Sequence, residues 1–227
     1  MQKTLQVSES LELGMILAIS GGFMDAYSYL CHDKVFANAQ TGNIILMMLK
    51  LAKGNYLGAT FYLCPVAAFA IGIALADIIR HHMKNRDLFH WRQLSVLCEA
   101  ILLCIVGFIP LKYNLPANSL TSLACGIQVE SFRKVQGNGY ATTMCIGNLR
   151  SGTSALTEYW YSRDKKAAEK GLIFYLIIFC FAVGAVLGSF FVSRIREHAI
   201  WICVIFLTVA FCLMFIDREN AKKKQSA

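Results

Sequence analysis

Charge and proline are scarce in this chain. Asp, Glu, Lys and Arg make up only 16% of 227 residues, and there are three prolines. No Pro-, Gly- or Ser-rich stretch longer than a loop divides the sequence, so it reads as a single domain. The nine cysteines contain no C-x-x-C pair, which removes the usual zinc and dithiol signatures. Six of them (Cys64, Cys98, Cys104, Cys180, Cys203, Cys212) sit in apolar runs, as small core or lipid-facing residues do. H-E-x-x-H, G-x-S-x-G and P-loop patterns are missing, and the five histidines fall in loops or at segment ends. No enzymatic activity, cofactor or metal is therefore expected. The N-terminus lacks a basic start leading into a short apolar core and an Ala-x-Ala-like site, so the first apolar segment is expected to stay in place.

Apolar residues are what the chain has in excess: 56% of the total, with a mean hydropathy of +0.51. Five windows (Leu11–Cys31, Thr60–Ile79, Leu94–Leu111, Gly171–Val192 and Ala199–Ile216) are each about 18–22 residues long, enough to cross a ~30 Å hydrocarbon layer. A sixth, Ala117–Phe132, is shorter and more polar. The net charge of +8 comes from loops and the tail "DRENAKKKQSA" rather than from a basic folded face. Anionic membrane lipids, not nucleic acid, are the expected partner.

Two segments resist a simple reading. "VFANAQTGNIILMMLKLAKG" (Val35–Gly54) opens with Asn38, Gln40, Thr41 and Asn43 around Gly42 before turning apolar, and "YATTMCIGNLRSGTSALTEYWY" (Tyr140–Tyr161) is polar throughout. If both span, there are eight helices and Lys and Arg divide almost evenly between the two sides. If both dip in and return, there are six spans, and only Lys34, Lys50, Lys53, Lys112, Arg194 and Arg196 of the 22 basic residues lie on the poorer side. The positive-inside rule favours six, with both termini cytoplasmic.

Residue n set against n+105 pairs Gly21 with Gly126, Asp25 with Glu130, and Gly42-Asn43 with Gly147-Asn148. "FAIGIALA" (Phe69–Ala76) also resembles "FAVGAVLG" (Phe181–Gly188). The expected architecture is an all-α polytopic membrane protein of two repeats, about 10–112 and 113–217, with a basic tail at 218–227. It has six full spans plus two re-entrant or broken helical segments; the alternative is eight spans. Three spans per half invert one half relative to the other, the plan of many secondary transporters.

The candidate site follows from polar residues at membrane depth. A carboxylate such as Asp25 costs about 2.5–3.5 kcal/mol there and is tolerated facing a wet cavity or a partner. Glu130 is its repeat counterpart, although Arg133 at i+3 offers it a local salt bridge. Broken helices free backbone groups that are permitted only beside a cavity or buried protein. Asp25, Asn38, Gln40, Thr41, Gly42, Asn43, Gln128, Glu130, Thr142, Thr143, Gly147 and Asn148 thus form the candidate substrate or ion site. The competing reading of the same residues is helix-packing glue.

"GGFMDAYSYL", "VFANAQTGNIIL", "GIQVESFRKV" and "ATTMCIGNLRSGTSAL" together resemble the YoaK family (DUF1275) of bacterial inner-membrane proteins, over nearly the whole chain. On that pattern Gly22, Asp25, Asn38, Thr41, Gly42 and Asn43 match the first-half motif. Gly126, Gln128, Arg133, Ala141, Thr142, Thr143 and Gly147 match the second. This chain has Ile146-Gly147 where the family usually has Thr-Gly, and Val129-Glu130 where it usually has Asn-Ala, which moves weight from Glu130 to Asp25. The resemblance implies a multi-pass protein of the bacterial inner membrane with a small-molecule transport role. The expected function is proton- or cation-coupled movement of a small polar solute between the two halves, with a homo-oligomer possible. A passive channel or facilitator and a non-transporting scaffold or lipid-binding protein are the alternatives.

Overall fold

The computed structural model describes residues 10–83, 91–135, 138–140 and 142–225, with side chains omitted at 134–135, 138 and 216–225. Residues 1–9, 84–90 and Ala141 lie outside the described residues, as do the side chains of the tail. Among the described residues there are eight α-helices: α1 (Leu11–Cys31), α2 (Gln40–Ala52), α3 (Tyr56–Met83), α4 (Trp91–Val106), α5 (Asn114–Ser131), α6 (Cys145–Ser162), α7 (Lys165–Ile195) and α8 (Trp201–Gln225). A two-residue hairpin pairs β1 (Lys134–Val135) with β2 (Asn138–Gly139), and a 3-10 turn (Arg196–Ile200) joins α7 to α8. The sixth window proves longer than expected, since α5 starts at Asn114.

Caps fix several helix ends. Ser10 Oγ accepts from Leu13 N at 3.2 Å to open α1, and Asp164 Oδ1 accepts from Lys166 N at 3.0 Å to open α7. After α1, Asp33 and Lys34 both adopt left-handed backbone (φ 56° and 57°), which turns the chain back toward the helix it has just left.

Large apolar side chains face outward while several polar ones are buried within the apolar core. Ile45, Leu57, Ile71, Ile101, Phe179 and Ile205 are exposed, whereas Ser20, Asn43, Glu99, Thr121, Ser122 and Gln128 are fully buried. An apolar surface of this extent suits a hydrocarbon solvent. Among the described residues, three stretches are long and apolar enough to cross a membrane: α1, α3, and Lys165–Phe215, which runs through α7 and the 3-10 turn into α8.

The most extensive contacts are α1 on α7 and α3 on α5, and both crossings are made by glycine pairs. A Cβ on Gly22 would lie 1.9 Å from Phe181 O, and one on Gly184 would lie 2.0 Å from Ile19 O. In the other pair, Gly126 faces Phe69 O and Gly72 faces Leu123 O, each at 2.2 Å. Such distances admit no side chain, so the backbones touch directly.

Contacts also give the helix directions. Along α1 and α5, Leu17 meets Gln128, Met24 meets Cys125, and His32 meets Asn118, so these helices are antiparallel. Along α3 and α5, Phe69 meets Gly126 and Arg80 meets Glu130, so that pair is parallel. Along α1 and α7, Ile19 meets Gly184 and Phe23 meets Gly188, again parallel. Hence α3 runs opposite to α1, and α7 opposite to α5. The end of α1 and the start of α3 share one side, with α2 between them.

Candidate functional site

Chain reversal after α1 brings residues 36–39 back against the middle of that helix. Asn38 N donates to Asp25 Oδ1 at 2.7 Å, with both groups buried. The residue preceding α2, Ala39, has no side-chain cap of its own. Asp25 therefore anchors the loop that leads into α2, and sets a buried carboxylate near the partial positive end of that helix.

Asn43, in the first turn of α2, holds the incoming chain. Its Oδ1 accepts from Phe36 N at 3.0 Å, and its Nδ2 donates to Phe36 O at 2.7 Å and to Gln40 Oε1 at 2.9 Å. Gln40 Nε2 donates to Ala37 O at 2.7 Å. Asn43 and Gln40 thus spend their hydrogen bonds on shaping the loop. Thr41 faces outward, and Gly42 packs against the Phe36 ring.

The second half sends its own loop to the same place. Gln128 Nε2 donates to Thr142 Oγ1 at 2.9 Å and to Leu17 O at 3.0 Å, tying the chain before α6 to α1. A Cβ on Gly21 would lie 2.9 Å from Thr143 Cγ2 and 3.3 Å from Thr142 O, while Gly21 O accepts from Asn38 Nδ2 at 3.1 Å. Loops from opposite halves of the chain meet at one glycine of α1. The segments that lead into α2 and α6 both pass there, and two polar atoms in this region, Thr143 Oγ1 and Gln128 Oε1, are buried without a hydrogen-bond partner.

These residues all fall within 13–213, the stretch that matches the family described as protein of unknown function (DUF1275). The chain belongs to this family. A curated relative, the UPF0700 transmembrane protein YoaK of Bacillus subtilis (strain 168), is 22% identical over 201 residues, covering 85% of this chain and 88% of its own length. No solved structure matches.

Not every candidate residue of this DUF1275 member joins the cluster at Gly21. Glu130 belongs to an ion cluster at the end of α5, where Arg133 lies 2.9 Å and Arg80 3.8 Å away and Arg80 is also paired with Asp77 at 2.8 Å. Asn148 is buried on α6, and Gly147 is exposed with open space around it. The site as assembled is Asp25, Asn38, Gln128, Thr142 and Thr143, with Gln40 and Asn43 behind.

One buried carboxylate escaped the sequence reading. Glu99, in "SVLCEAILLC" of α4, is fully buried, and neither carboxyl oxygen has a hydrogen-bond partner among the described residues. The signal was present: a carboxylate in an apolar window, like Asp25.

Proposed function

We propose that this chain is a proton- or cation-coupled transporter of a small polar solute, with six crossings and two re-entrant half-helices. The observation that carries the reading is the meeting of two loops, one from each half, at Gly21, where buried polar atoms lack partners. Interrupted helices in matching positions are the usual markers of a transporter site. Six crossings are supported by the opposed directions of α1 and α3, and of α5 and α7. At 13 residues α2 is about 20 Å long, too short for a ~30 Å core.

Glycine crossings support a repeat whose register in α1 and α5 differs by one residue from the n+105 pairing. Gly22, not Gly21, makes the contact equivalent to that of Gly126, which sets Val129 rather than Glu130 against Asp25. The carboxylate is then a feature of one half only. Arg80, Arg133 and Glu130 lie at the end of α5 that adjoins the start of α1, which agrees with a cytoplasmic N-terminus in a bacterial inner membrane.

In this reading Asp25 couples ion and solute. A proton or cation arriving at its carboxylate competes with the N–H group of Asn38 and loosens the loop, so the site opens to one side at a time. Thermal unfolding with a panel of amino acids, sugars, organic acids and amines tests the site. A solute at 100 times its Kd adds about 2.7 kcal/mol of stability. Thr143→Val, which removes a partnerless hydroxyl with almost no change of shape, should abolish that gain without lowering the unliganded midpoint. If no solute shifts the midpoint, or Thr143→Val leaves the shift intact, the assignment fails. Half-helix starts that meet at mid-depth also suit a passive pore, and flux indifferent to pH would favour that reading.

A further inference from the structure

Glu99 lies outside the cluster at Gly21 and is harder to explain. It shares the buried face of α4 with Val96, Leu103 and Val106, which belong to the core built with α1, α5 and α8. Cys125 of α5 and Cys203 of α8 are within its electrostatic reach, and Asp25 bears on Cys125 as well. Cys203 Sγ lies 3.8 Å from Ser20 O, and the hydroxyls of Ser20 and of Ser122, one turn before Cys125, are also buried without partners. Among the described residues no ion pair joins a cation to Glu99, and these two thiols are close enough to feel its charge. The buried face of α8, represented by Cys203, Leu207, Ala210 and Met214, carries no charge.

An ionised carboxylate here would be deprived of water and of any counter-charge, at a cost of several kcal/mol even after relaxation. A neutral carboxyl pays only for imperfect hydrogen bonding. A further orphaned acceptor, Asn38 Oδ1, belongs to the cluster at Gly21, whose backbone carbonyl the same side chain bonds. A merely structural position would be filled at lower cost by Leu or Gln.

We propose that Glu99 is a proton-binding site: it carries a proton in the resting protein and exchanges it with water when α4 separates from α5 and α8. In that exchange the carboxyl O–H bond breaks, the proton passes to water, and the carboxylate left behind is reprotonated from the other side. This rests on the coupled-transport reading and identifies the coupling ion as a proton.

Infrared spectroscopy of the full chain in lipid bilayers, with no solute added, tests it. At neutral pH we expect a protonated-carboxyl carbonyl band that is absent in Glu99→Gln, retained in Asp25→Asn, and shifted to lower frequency in D2O. Carboxyl-13C glutamate in the wild type and a displaced band in Glu99→Asp give the same assignment if the Gln variant does not fold. Absence of the band overturns the proposal. So does a band that never responds to D2O, which marks a sealed structural carboxyl, or a carboxylate band that responds to sodium. The transport reading fails by a different result, the absence of any solute effect, whatever the state of Glu99.

Discussion

The carboxylate of Asp25 on α1 accepts the backbone N–H of Asn38 at 2.7 Å, so a residue in the middle of one helix holds the loop that leads into the next. Removing that acceptor leaves a buried N–H unpaired. Asp25→Ala is expected to lower stability by about 1–3 kcal/mol, and Asp25→Asn by less, because its carbonyl still accepts. Thermal unfolding in detergent compares them.

Direct backbone contact makes the crossing glycines intolerant. Gly22→Ala and Gly126→Ala place a methyl group about 2 Å from a carbonyl oxygen, so each should cost more than the about 1–3 kcal/mol typical of overpacking. Gly147→Ala meets nothing and replaces an exposed helical glycine, with an expected gain of up to about 1 kcal/mol. Folded yield and unfolding midpoint should separate the two classes.

Asn43 and Thr41 are two residues apart and should behave oppositely. Asn43→Ala strands the N–H and C=O of Phe36, at about 1–3 kcal/mol for each buried group left unpaired. Thr41→Ala, on an exposed face, should stay within about 0.5 kcal/mol. Chemical or thermal denaturation of both variants checks this.

The topology has its own test. In a chain freed of its native cysteines, Asp33→Cys and Leu57→Cys should react with an impermeant thiol reagent from the same side of the membrane. Reaction from opposite sides would mean that α2 crosses and that there are eight spans.

Much of the helical plan was legible in the sequence, because lipid-facing helices advertise themselves by length and apolarity. Gln40 and Cys145, where the two polar segments become helical, could be anticipated from the Gly-Asn pairs just after them. Less visible was what each polar side chain bonds to. Nothing in the order of residues says that Asn43 turns back seven residues to Phe36, or that Glu130 joins Arg80 across a helix boundary. Which of Gly21 and Gly22 makes the crossing with α7 was also hidden, since both are glycines and only the backbone contact with Phe181 tells them apart. Glu99 was readable and was passed over, because its flanking residues made a convincing span.

Uptake into proteoliposomes under an imposed pH gradient tests the central claim most directly, using whichever panel solute raises the unfolding midpoint. Wild-type protein should accumulate the solute as long as the gradient lasts, and Asp25→Asn, folded and still holding the loop before α2, should not. Equal accumulation by Asp25→Asn, or wild-type uptake that ignores the gradient, would contradict coupling at Asp25.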